Sequence, residues 1–224
     1  MSTPPLPQLA VRGQMRQEIA DALRGALVAG RLLPGVVYSA PSLAAQFGVS
    51  VTPVREALLD LAGEGLVQPV RNKGFRVTEL AAGDLDEITA LRVLIEVPTV
   101  RDLAIDTSEQ LRTQVAALRP AARRILEHAQ AGQYVEYAAA DRDFHLALLA
   151  LAGNQHLVDV VGNLRSRSRL HGLAERANAE QLLRSAGEHE QILDLVLAGD
   201  PAPVEDLMTR HITDVRTAWA GRPG

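Results

Sequence analysis

Apolar residues recur at helical spacing from Gln14 to Ala29, with Met15, Ile19, Leu23, Ala26 and Leu27 on one face, and Gly30 with Leu33-Pro34-Gly35 closes the segment in a turn. A short second helix is predicted over Pro41 to Phe47, with Leu43, Phe47 and the following Val49 forming a small core. Gly48 supplies the turn, Thr52 and Pro53 read as the cap and first position of a third helix, and Val54, Ala57, Leu58 and Leu61 share its buried face. Arg55, Glu56 and Asp60 are thereby left outward. Leu66 to Val70 and Gly74 to Thr78 then read as two short strands joined by the basic tip Arg71-Asn72-Lys73. A capped helix after a tight turn, followed by a two-stranded wing, is the pattern of a winged helix-turn-helix that presents a recognition helix to DNA.

Glu79 to Gly83 reads as a linker, and the pattern beyond it is almost wholly helical. Asp84 and Glu87 are spaced as a capping box, and helices are predicted over 84–104, 108–131, 133–152, 155–177, 179–198 and 201–220, with Gly132, Gly153 and Gly199 as stops. The predicted fold class is mostly α: a winged helix over residues 10–79 after a disordered tail at 1–9, then an all-α six-helix bundle over 80–224.

Composition sharpens this picture in three places. Aromatic residues make up only 3% of the 224 residues, so the helices must pack closely through Ala, Leu and Val. The net charge of −4 divides unevenly, with eight Lys and Arg against six Asp and Glu in residues 1–79 and 15 against 21 in the remainder, so the N-terminal part is the one expected to meet DNA. The absence of cysteine excludes disulfides and thiolate metal sites, and no segment reads as a signal peptide or membrane span, so a cytoplasmic protein is expected.

The string Ser50-Val51-Thr52-Pro53-Val54-Arg55-Glu56-Ala57-Leu58 resembles the helix-turn-helix of the GntR superfamily of winged-helix transcription regulators, with Val51 where arginine is usual and Pro41 where some members place another arginine. The six predicted helices that follow resemble the FCD ligand-binding domain, the fatty-acid-regulator C-terminal type, and in particular its shorter vanillate-regulator-like branch. The resemblance implies a homodimeric regulator, usually a repressor, of a two-fold symmetric operator, controlled by a small carboxylate effector. Its expected DNA contacts fall on Ser50, Thr52, Arg55, Arg71, Lys73 and Gly74, with Arg55 foremost.

Asp141 and His145 lie one helical turn apart, so both side chains project from one face, while Asp143 points away. His189 and His211 fall on later helices beside apolar neighbours. Spacing alone leaves these as structural histidines; the FCD pattern of Asp-x-x-x-His followed by one His on each of the last two helices implies that Asp141, His145, His189 and His211 bind a divalent transition metal, Zn, Ni, Mn or Fe. His128, His156 and His171 read as ordinary helix or loop residues. Arg92, four residues before Glu96, is either a solvated helical salt bridge or, by the family pattern, the arginine that meets the effector's carboxylate, aimed inward by a kink at Pro98. Of Arg165, Arg167 and Arg169, Arg165 is the second candidate for the pocket. Two other readings stay open: a direct metal sensor, and a metal-dependent hydrolase, for which no second acid or base stands at a telling spacing.

Overall fold

The computed structural model describes residues 10–81, 83–168 and 179–220. The tail predicted at 1–9, the end of the helix predicted over 155–177, Arg169 and His171 lie outside the described residues.

The chain begins with α1 (Ala10–Val28), β1 (Val37–Tyr38), α2 (Ala40–Phe47), α3 (Val51–Gly63), β2 (Val67–Val70) and β3 (Gly74–Val77). The predicted wing is present, with Val67 opposite Val77 and Val70 opposite Gly74, but the sheet has a third strand. β1 pairs antiparallel with β3, giving the order β1-β3-β2. Gly74 permits this, because it sits at φ 133° and a Cβ there would run into the Tyr38 carbonyl. Ser39 caps α2 by accepting from Ser42 N at 3.2 Å, and Gly48, at φ 68°, ends it. The cap of α3 lies two residues before the predicted one: Ser50 is the N-cap, without a side-chain bond, so Thr52 lies inside the helix. Pro53 then falls third in the helix, still among the positions whose N–H has no intrahelical acceptor. Phe47, predicted to be core, is 37% exposed, whereas Leu43 is buried.

Beyond Gly83 come α4 (Asp84–Ile105), α5 (Glu109–Ala116), α6 (Arg119–Gln130), α7 (Tyr134–Ala150), α8 (Gln155–Ser168), α9 (Ala179–Ala198) and α10 (Pro201–Ala220). The single helix predicted over 108–131 is thus two helices. Pro120 has no N–H to donate and its ring would strike the carbonyl one turn back, so the chain restarts a helix there, with Pro120 in its first turn. The predicted capping box is also absent: Gly83 is the N-cap of α4, and the Asp84 carboxylate accepts from Ala81 N at 2.7 Å.

Two apolar cores result. One gathers α1–α3 and the sheet around Leu23, Leu58 and Leu61; the other gathers α4–α10 around Val100, Phe144, Leu148 and Leu193. Ile88 of α4 and Leu164 of α8 join the first core, so the helical part reaches into the winged-helix part. Arg16 pairs with Asp60, and Arg24 with Glu64 at 2.5 Å, which ties α1 to α3 and the residue that caps it.

Candidate metal centre and nucleic-acid interface

α3 buries Val54, Ala57, Leu58 and Leu61, as its spacing predicts, and leaves Ser50, Thr52 and Arg55 exposed at its N-terminal half. Arg55 faces a concavity of about 550 Å³ shared with Ser39, Pro41 and the wing residues Arg71, Lys73 and Gly74. The tip turns at Asn72, which takes φ 60°, and Arg71 and Lys73 are exposed on either side of it. Three cations from two separate segments therefore border one groove. Val51, 41% exposed at the start of α3, brings no charge to that end of the helix.

The second constellation is internal. Asp141 and His145 come from α7, His189 from α9 and His211 from α10, and all four are buried. Their ligand atoms lie within 4.8 Å of one another. His145 Nε2 is 3.1 Å from His211 Nε2 and 3.2 Å from His189 Nε2, and His189 Nε2 is 3.2 Å from Asp141 Oδ1. The far nitrogens fix the tautomers. His189 Nδ1 lies 3.1 Å from the Ala186 carbonyl and His211 Nδ1 2.7 Å from the Glu188 carboxylate, acceptors to which each can only donate, so the tautomer with its single proton on Nδ1 turns a lone pair inward. Burial, followed by the nearby Arg165 charge, pushes the His145 pKa well below its ordinary value, and burial also lowers that of His211 against the pull of Glu188. His145 Nδ1 has no hydrogen-bond partner among the described residues. If its proton is instead on Nε2, that hydrogen satisfies just one of the three inward acceptors. A central cation satisfies them all. With metal–nitrogen bonds of about 2.0–2.1 Å, neighbouring ligands stand about 2.9–3.4 Å apart, the range in which these nitrogens are found. Three imidazoles and a carboxylate suit Zn, Ni, Mn or Fe better than the all-oxygen shells of Ca or Mg. Phe144, itself buried, stands nearly perpendicular to both His145 and His189, with ring centroids at 5.4 and 4.9 Å.

Beside the cluster lies an ion network that spacing did not disclose. Glu96, with no exposed surface, accepts from Arg92 Nε at 2.7 Å and from Arg165 Nη2 at 2.5 Å, and Arg165 Nη1 reaches Asp141 Oδ2 at 3.2 Å. The Arg92–Glu96 pair is thus a buried one, and Arg165 links it to a cluster ligand. Burial by itself would raise the Glu96 pKa, but Arg165 and Arg92 outweigh it and hold the carboxyl below its usual range. Burial, reinforced by Arg92, brings Arg165 down to about 10. Glu188, which orients His211, also escaped sequence reasoning, because its partner lies on another helix and only its position beside His189 hinted at a role. The remaining histidines behave as expected where described: His128 binds Gln133 at 2.7 Å on the surface, and His156 is exposed.

A winged helix joined to a helical domain defines the class as a DNA-binding regulator, and the buried His₃Asp cluster lies in its helical part. The comparisons agree. Residues 15–77 match the family of bacterial regulatory proteins, gntR family, and residues 87–214 match the FCD domain. The chain is 30% identical over 216 residues to a probable D-xylose utilization operon transcriptional repressor of Paenarthrobacter nicotinovorans, covering 95% of this chain and 92% of that one. It is 28% identical to the HTH-type transcriptional repressor RspR of Escherichia coli K12, covering 93% and 90%. Among solved structures, E. coli McbR/YncC superposes with a TM-score of 0.74 at 24% identity, covering 89% and 93%. A putative GntR regulator from Rhodococcus sp. RHA1 gives 0.72 at 23% identity over 94% and 100%. The protein belongs to the GntR family of transcription regulators and carries an FCD domain. These families and relatives are regulators, not enzymes, and among the described residues no helix is long and apolar enough to cross a membrane.

Proposed function

We propose that the protein is a cytoplasmic, homodimeric repressor that releases a two-fold symmetric operator when a small organic acid binds beside a divalent transition metal held by Asp141, His145, His189 and His211. In this reading residues 10–79 are the DNA-binding domain and residues 80–224 the effector domain, of the shorter, vanillate-regulator-like branch. The observation that carries it is the convergence of buried lone pairs from three helices on one point.

Charge balance supports an anionic effector. Arg92 and Arg165 offset Glu96 and Asp141, and burial disfavours the charged forms of His145 and His211, so a divalent ion adds charge that, among the described residues, Glu188 partly offsets. Uncompensated buried charge is costly, and a carboxylate that joins the site relieves it. When bound, the metal supplies an electrophilic anchor for such a carboxylate. The chain's own residues orient the site: Arg165 holds Asp141 in place, Glu188 and the Ala186 carbonyl hold the rings, and Arg92 brings a second positive charge. Dimerisation is supported by exposed apolar side chains on α4, where Leu91, Leu94 and Ile105 are 46%, 71% and 61% exposed.

Two substitutions test the ends of this chain of events. Arg55→Ala is expected to weaken operator binding by roughly 1–3 kcal/mol with the fold intact, read by gel shift and circular dichroism; unchanged affinity removes Arg55 from the contacts. Arg92→Ala is expected to cut sensitivity to the inducing acid by roughly 10- to 100-fold while metal content and operator affinity persist. Lysine keeps the charge but loses the planar fork, so Arg92→Lys should restore the response only in part. A screen of small carboxylates for operator release, with and without added metal, identifies the inducer. Release by metal alone identifies a direct metal sensor instead.

A further inference from the structure

Between the two cores lies a cleft of about 310 Å³, bounded by α1 and Leu66 on the winged-helix side and by α7 and α8 on the other. Leu27, Val28, Leu66 and Val135 supply apolar walls. Two polar groups in its lining are left over. Ser166, only 7% exposed, has no hydrogen-bond partner for its hydroxyl among the described residues, and neither does the buried Arg142 Nε. Both can donate, and Arg142 Nε can do nothing else. Leaving buried donors unmatched is costly, so the cleft calls for an acceptor. The charges around it are already balanced: Arg24 binds Asp21 at 2.5 Å and Arg142 approaches Asp143 at 3.4 Å, with both carboxylates largely exposed at the mouth. An anion therefore gains no net field there, in contrast to the histidine cluster.

We propose that this cleft is a second ligand site, separate from the histidine cluster, that takes a small uncharged apolar molecule with a carbonyl oxygen directed at Ser166 and Arg142. The volume sits at the lower end of small-molecule pockets, and a largely apolar wall with a few convergent polar groups is their usual make-up. Although Arg142 adjoins Asp141 in sequence, successive helix positions face different ways, so one face of α7 serves the cluster and another the cleft. A molecule seated there touches both parts of the chain. Its binding free energy then differs between arrangements of the DNA-binding part, which is the requirement for a ligand to shift operator affinity.

The test uses the full chain with labelled leucine and valine methyl groups, titrated with acetophenone, an apolar ring bearing one carbonyl oxygen. Saturable shifts are expected at the methyls of Leu27, Val28, Leu66 and Val135, with or without a metal chelator. Ser166→Ala removes an unbonded hydroxyl and should not lower stability, while weakening acetophenone roughly 3- to 10-fold, the worth of one hydrogen bond. Ala139→Leu, at an exposed position on the rim, should abolish the shifts by filling the mouth. Ethylbenzene, which lacks the oxygen, should bind more weakly. The proposal is overturned if the shifts fail to saturate or centre on the histidine cluster, if Ala139→Leu binds as wild type does, or if ethylbenzene matches acetophenone.

Discussion

Glu96→Ala is expected to be the most damaging single change in the helical domain, lowering the melting temperature by roughly 6–20 °C, the equivalent of about 3–5 kcal/mol in a chain of this size. The cause is not the loss of one contact. Glu96 has no exposed surface and is the shared acceptor of Arg92 and Arg165, so its removal strands two guanidinium groups where water does not reach. Arg165 keeps only Asp141 among the described residues, and drawing more heavily on that carboxylate competes with its place in the histidine cluster. Glu96→Gln retains the shape and one acceptor oxygen and should fall between wild type and alanine. Thermal melts of the three proteins at neutral pH decide the matter; an alanine variant that melts with wild type would mean that the arginines find other partners.

Removal of the metal should have the next largest effect. An ion that binds only the native chain stabilises it by RT ln(1 + [L]/Kd), about 2.7 kcal/mol at a hundredfold excess over Kd, or roughly 5–11 °C in melting temperature. α7, α9 and α10 each contribute residues to the cluster, so chelation is expected to loosen a joint among three helices rather than one. The shift should vanish in His189→Ala. That variant loses a ring whose Nε2 sits within 3.2 Å of both Asp141 and His145, and it should melt at one temperature whether or not chelator is present. A chelator shift that survives in His189→Ala would place the ion elsewhere.

How far these features could be read from the chain depends on the range of the interactions that make them. The last two helices, 179–198 and 201–220, match their predicted bounds, because Gly199 and Pro201 interrupt the pattern locally. The break at Pro120 was hidden by the Ala- and Leu-rich sequence on either side, which keeps a helical pattern through it. β1 has only two residues and exists because Gly74 lets Tyr38 come close, a contact across more than thirty positions that no local pattern records. In the site, the turn from Asp141 to His145 is visible as spacing, and His189 and His211 follow from the family pattern. Glu96 is different. Its separation from Arg92 is that of countless solvated pairs, and only the approach of α8, which brings Arg165, turns that pair into the buried hub of the domain. The same holds for Ser166 and Arg142, whose unspent hydrogen-bonding capacity shows only once α1 lies across α7 and α8.

Metal content measures the central claim most directly. Untagged protein, purified without added metal or chelator, is analysed for transition elements beside His145→Ala and His189→Ala. Wild type is expected to carry Zn, Ni, Mn or Fe in an amount close to equimolar with the chain, and both variants close to background. Wild-type protein with no more metal than the variants, together with melting and effector responses that a chelator leaves unmoved, would contradict the assignment and reduce Asp141, His145, His189 and His211 to a polar network in the core.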